Sequence, residues 1–113
     1  MRLREIADLL GAEILGGHIK LDTEIEQALG SDMMSDVLST PCGDRAILLT
    51  GLTNLQVVRT AEMIDIKAVI FVKGRYPRSE AIRLASKMGL PVLLTSYSLM
   101  ETRDILHQAG LRV

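Results

Sequence analysis

Apolar residues recur at two different periods along this chain, and the switching between them marks out its elements. Leu3, Ile6, Ala7 and Leu10 fall at helical spacing, and Gly11 stands where a helix cap belongs. Ala12–Leu15 is a short apolar run closed by Gly16–Gly17, which reads as a strand entering a turn, so the N-terminus is expected to be a helix with a small hairpin. Ile25–Gly30 reads as a further strand. Ser31 or Asp32 is placed to cap a short helix over Met33–Leu38, and Pro41–Cys42–Gly43–Asp44 is a turn. From there a beat repeats. Strands are expected over Ala46–Thr50, Ala68–Val72 and Pro91–Thr95, and helices over Asn54–Asp65, Arg78–Met88 and Ser98–Ala109.

The later strands, Ile47–Leu49, Val69–Val72 and Val92–Leu94, are unbroken apolar runs. A strand that alternates has one wet face; a strand that does not is buried on both, as in a parallel sheet covered by helices. The spacing from strand to strand suits crossover connections. The expected architecture is a small three-layer α/β domain spanning residues 1–113 as one unit. Its sheet is mostly parallel, of about four strands, with helices on both faces and the N-terminal helix plus short hairpin at one side.

In such a sheet ligands sit beyond the carboxyl ends of the strands. Four loops fall there: Gly30–Ser31–Asp32, Thr50–Gly51–Leu52–Thr53–Asn54, Lys73–Gly74–Arg75–Tyr76–Pro77 and Thr95–Ser96–Tyr97–Ser98. The second joins a strand directly to a helix start, where free backbone N–H groups and the helix dipole suit an anion. Together the loops supply hydroxyls, two cations, two tyrosines and two glycines. The candidate ligand-binding residues are Ser31, Asp32, Thr50, Gly51, Thr53, Asn54, Lys73, Gly74, Arg75, Tyr76, Thr95, Ser96 and Tyr97. The same residue types are also ordinary caps and turn formers, so the residues alone leave a plain structural reading beside the functional one.

Composition narrows the classes. The net charge of −1 gives no basic field to hold a polyanion, and with Phe71, Tyr76 and Tyr97 as the only aromatics, nucleic-acid binding is disfavoured. No apolar run is long enough to cross a bilayer, and Asp8, Gly11 and Glu13 interrupt any leader-like block, so a cytoplasmic protein without membrane attachment is expected. The single cysteine, Cys42, has no internal partner for a disulfide. Thr50–Gly51 lacks the Lys–Ser/Thr ending of a nucleotide P-loop, and no dinucleotide-type glycine triplet is present. His18 and His107 have no second ligand at metal spacing, and Cys42 has no neighbouring His in sequence. Asp32 and Asp36, four apart, are explained by capping and solvation. Thus no catalytic set, metal or cofactor is expected.

Several segments in order resemble one known family. They are Gly30–Leu38, then Gly43–Asp44, then Leu49–Asn54 with Val57–Glu62, then Gly89–Leu93, and they look like the DRTGG domain over nearly the whole chain. The contiguous string that names the family is absent; only Asp44–Arg45 and, separately, Thr50–Gly51 match parts of it. The resemblance implies an α/β fold similar to the N-terminal domain of HPr kinase/phosphorylase. It further implies a regulatory or assembly module that pairs as a homodimer, found beside CBS domains in inorganic pyrophosphatases, in phosphotransacetylases and as short stand-alone chains. The expected function is a non-catalytic regulatory module sensing a small anionic metabolite or nucleotide at the strand-end edge. The alternative is an adaptor that docks on a larger enzyme. A small phosphotransfer enzyme would need a base or metal near Thr50–Asn54, where only Asp32 and Asp36 are placed to help.

Overall fold

The apolar runs and periodic segments become alternating strands and helices in a computed structural model that describes all 113 residues. In chain order these are α1 (Leu3–Leu10), β1 (Glu13–Gly16), a 3₁₀ turn (His18–Lys20), β2 (Gln27–Gly30), α2 (Met34–Ser39), β3 (Ala46–Thr50), α3 (Leu55–Met63), β4 (Val69–Phe71), α4 (Ser79–Met88), β5 (Val92–Leu94) and α5 (Leu99–Gln108). The strands form one five-stranded sheet in the order β1-β5-β4-β3-β2. Four of them, β2 to β5, run parallel, and β1 is antiparallel to β5 at one edge.

That edge corrects the expected hairpin. Gly17 has φ +80° and leads into the 3₁₀ turn, and β1 finds its partner in β5, Glu13 opposite Leu94. The chain passes so close over Pro91 that a Cβ on Gly17 would lie 2.5 Å from the Pro91 Cα. Only glycine gives both the left-handed turn and that approach.

The unbroken apolar runs behave as a two-sided sheet requires. Alternate residues point to opposite faces, and both faces are dry. Leu48, Val69, Phe71, Val92 and Leu94 face α2, α3 and α4, packing with Met34, Val37, Val57, Val58, Ala61, Ala81 and Ala85. Ile47, Leu49, Ile70 and Leu93 face α1 and α5, packing with Leu3, Ile6, Leu10 and Leu106. Every residue of β3, β4 and β5 is buried. Each large side chain so placed contributes about 1.5–3 kcal/mol by leaving water. Of the methionines, Met34 is core, whereas Met33, Met63 and Met100 stand exposed.

The expected cap of α2 also differs. Met33 is its N-cap residue and makes no side-chain cap bond. The Ser31 hydroxyl instead binds the Met33 N–H at 2.9 Å, and Asp32 turns away toward β3. Both chain ends tie to the β2 side of the sheet. The Met1 ammonium donates to the Ile25 carbonyl at 3.1 Å and meets Glu24 at 2.8 Å. At the other end, Arg112 bridges to Gln27, with the Ala28 N–H donating to its carbonyl at 2.8 Å. No helix is long and apolar enough to cross a membrane.

Candidate functional site at the strand ends

The four loops do lie at one end of the sheet, since β2, β3, β4 and β5 are parallel and neighbours. Hydrogen bonds join them in pairs. The Gly51 N–H donates to Asp32 Oδ1 at 2.7 Å, and Thr50 Oγ1 lies 3.4 Å from the same oxygen. The Thr50 hydroxyl also accepts from the Leu52 N–H at 3.2 Å. Further along, the Lys73 N–H donates to the Tyr97 carbonyl at 2.7 Å and the Gly74 N–H to the Thr95 carbonyl at 2.9 Å. Between these pairs the Arg78 N–H donates to the Thr53 carbonyl at 2.9 Å. Asn54 is the N-cap residue of α3, without a side-chain cap bond.

The chain leaving β2, β3 and β4 turns to the α2–α4 face, whereas the chain leaving β5 turns to the α1 face. That reversal falls between β4 and β5, whose loops are joined by the backbone bonds of Lys73 and Gly74, and such switch points favour ligand binding. Beside it, along α5, lies a cavity of about 750 Å³. Asp32, Lys73 and Ser98 line its sheet end; Leu99, Met100, Arg103, Asp104, His107 and Val113 line the rest. This volume falls in the range of small-molecule sites, about 300–1,000 Å³.

Close packing sets the cavity wall. The side chains of Leu99 and Arg103 press on Gly30, where an added Cβ would lie 3.0 Å from Leu99 Cδ1 and 3.1 Å from Arg103 Cδ. The α5 N-terminus is capped internally. Ser98 Oγ accepts from the Glu101 N–H at 3.1 Å, and the Glu101 carboxylate accepts from the Ser98 N–H at 2.9 Å. That backbone bond, with the Ser98 hydroxyl second, holds the Glu101 carboxyl below its usual range.

Two cations face the cavity without an ion-pair partner. The ion pairs of the molecule are Met1–Glu24, Arg4–Asp22, Arg45–Glu26 and Lys67–Asp65, and neither Lys73 nor Arg103 is among them. Lys73 is also one of two non-glycine residues at positive φ, +63°, and Gly74 follows at +66°. A left-handed non-glycine residue costs about 1–2 kcal/mol. Here the backbone bonds from Lys73 and Gly74 to the β5 loop hold that conformation.

Of the residues expected to bind ligand, Asp32 and Lys73 reach this cavity. The rest are placed otherwise. The Thr95 hydroxyl is buried and donates to the Leu10 carbonyl at 2.8 Å, pinning the end of α1 to the sheet. The Tyr76 hydroxyl donates to Glu13 at 2.7 Å on β1, and that bond raises its pKa above the usual value. Ser31 borders a separate groove along β2 with Asp36, Ser39 and Thr40. Thr50, Gly51 and Thr53 serve loop hydrogen bonds, whereas Arg75, Ser96 and Tyr97 project to solvent. Arg103, Asp104 and His107 were not singled out as ligand residues from the sequence. Their only signal is the spacing of Met100, Arg103, Asp104 and His107 on one helical stripe.

Comparison with known proteins settles the family. The model of the DRTGG domain matches residues 5–109. The chain belongs to the DRTGG domain family. No curated protein matches the sequence. Among solved structures, this DRTGG domain is similar to the CBS and DRTGG domains of the regulatory region of a Clostridium perfringens pyrophosphatase, crystallised with its activator diadenosine tetraphosphate. The TM-score is 0.77 at 19% identity, over 96% of this chain and 46% of that one. The chain therefore spans about half the length of that regulatory region, and the likeness is one of fold.

Proposed function

We propose that this DRTGG domain is a regulatory, non-catalytic module that takes a small anionic metabolite of the nucleotide kind into the cavity along α5, between Asp32, Lys73 and Val113. One observation carries the reading: Lys73 and Arg103, both without an ion-pair partner, line one cavity with Ser98 beside the point where the β4 and β5 loops turn to opposite faces of the sheet. Cations supply the attraction for phosphate, and Leu99 and Met100 offer apolar surface to the rest of the molecule. The similar pyrophosphatase region, which binds a dinucleotide activator, supports the ligand class and the regulatory role. The partner in this reading is a larger enzyme whose activity the ligand tunes, and the module acts in the cytoplasm as a homodimer.

The test is thermal melting with ADP, diadenosine tetraphosphate and adenosine. A ligand that binds only the native state stabilises it by about 2.7 kcal/mol at a hundred times its Kd. The two phosphorylated compounds should raise the melting temperature, adenosine should raise it less, and the Lys73→Ala/Arg103→Ala pair should lose the effect. No rise with either nucleotide overturns the ligand half.

A second reading, a docking adaptor, is favoured by Met33 and Leu38, which expose 59% and 41% of their surfaces beside and on α2. Sedimentation at micromolar concentration separates the two: only monomer, with a nucleotide-dependent melt, leaves sensing without self-association.

A further inference from the structure

Asp32 is the charge that does not fit an anion site. It lines the cavity with Lys73 and Arg103, and with Asp104 it cancels both cations, so the side chains of the lining carry no net formal charge when His107 is neutral. Its carboxylate is held in place, with Oδ1 on the Gly51 N–H at 2.7 Å and near the Thr50 hydroxyl at 3.4 Å. Gly51 is buried, and a Cβ there would lie 3.2 Å from Asp32 Oδ1, so loop and carboxylate are packed against each other. The residue itself remains exposed, at the head of a short helix that has no side-chain cap. It can therefore leave without opening the core.

We infer that Asp32 sets the charge selectivity of the cavity: it is a resident carboxylate that weakens anion binding and is drawn off Gly51 when an anion enters between Lys73 and Arg103. Occupancy is thereby coupled to the segment that leads into α2, because Ser31 and Met33 flank Asp32 and are themselves tied by the Ser31 hydroxyl. Asp32 is a selectivity residue, not a ligand. This inference rests on the proposed function.

Two variants separate charge from anchoring. Asp32→Asn keeps an oxygen for the Gly51 N–H and removes the charge; Asp32→Ala removes both. The measurements are titration calorimetry with ADP and with adenosine, and amide NMR of the ¹⁵N-labelled chain following Gly51. The expected result is ADP binding at least fivefold tighter in Asp32→Asn, adenosine binding unchanged, and a Gly51 amide shift on adding ADP to the wild-type chain. Asp32→Ala should show the same preference if it folds. Equal tightening for ADP and adenosine, unchanged ADP affinity, or a Gly51 amide that ignores ADP overturns the inference while the proposed site stands. No ADP binding in the wild-type chain or in either variant overturns the proposed site itself, and this inference with it.

Discussion

At the scale of single residues, Lys73 is the most informative. It occupies a left-handed backbone position that a glycine would fill at less cost, yet its side chain is a cation lining a cavity. If lysine served the fold, replacing it would destabilise the molecule. The opposite is expected: Lys73→Gly relieves about 1–2 kcal/mol of backbone strain and returns about 0.5–1 kcal/mol through unfolded-chain entropy. Stability should therefore stay level or rise by up to about 1.5 kcal/mol, while the melting shift with nucleotide disappears. Urea unfolding with and without ADP reads both at once. Lys73 and Asp32 were legible in the sequence because a parallel sheet places its carboxyl-end loops together. The roles of Thr95 and Tyr76 were not. Their hydroxyls bond to Leu10 and Glu13, 85 and 63 residues away, and nothing local in the sequence encodes a partner at that distance. Arg103 and His107 escaped for another reason: a polar stripe on an amphipathic helix is the ordinary solvated face, and only the divergence of the β4 and β5 loops turns this one toward a cavity.

At the scale of elements, local signals predicted strands and helices well wherever burial and periodicity agreed. Continuous apolar runs gave β3, β4 and β5, and Gly11 does end α1 in a left-handed cap; Gly89 ends α4 in the same way. The hairpin expectation failed because β1 pairs with β5, a strand near the far end of the chain, where Gly17 passes close over Pro91. The α2 cap failed because Asp32 had a competing partner in Gly51. In contrast, α5 keeps the full Ser98–Glu101 capping box. Ser98→Ala should cost about 1 kcal/mol. The Glu101 carboxyl titrates lower in the folded chain than its ordinary value of 4.5. Its stabilising contribution is therefore present above that value and lost as pH falls through the folded one. The stability gap between wild type and Glu101→Gln should be open near about pH 7 and close on acidification, which denaturation midpoints at both pH values will show.

At the scale of the whole molecule, the first and last residues come to rest side by side on the β2 side of the sheet. Met1 is bonded to Ile25, and Arg112 to Ala28. Three residues of extended chain separate these anchor points, a span of about 10 Å at the rise of a β-strand. A unit whose entry and exit lie this close can be spliced into a loop of another protein without prising that loop apart, because the host sees only a narrow stalk. It can also be rewired. Joining Val113 to Met1 with a short flexible linker and reopening the chain at the exposed Gly43–Asp44 turn should give a circular permutant with the same circular-dichroism spectrum and a cooperative melt. Loss of cooperative folding in that permutant would show that the order of synthesis matters to this architecture. Retention would mean that the fold does not depend on the order in which its elements are joined.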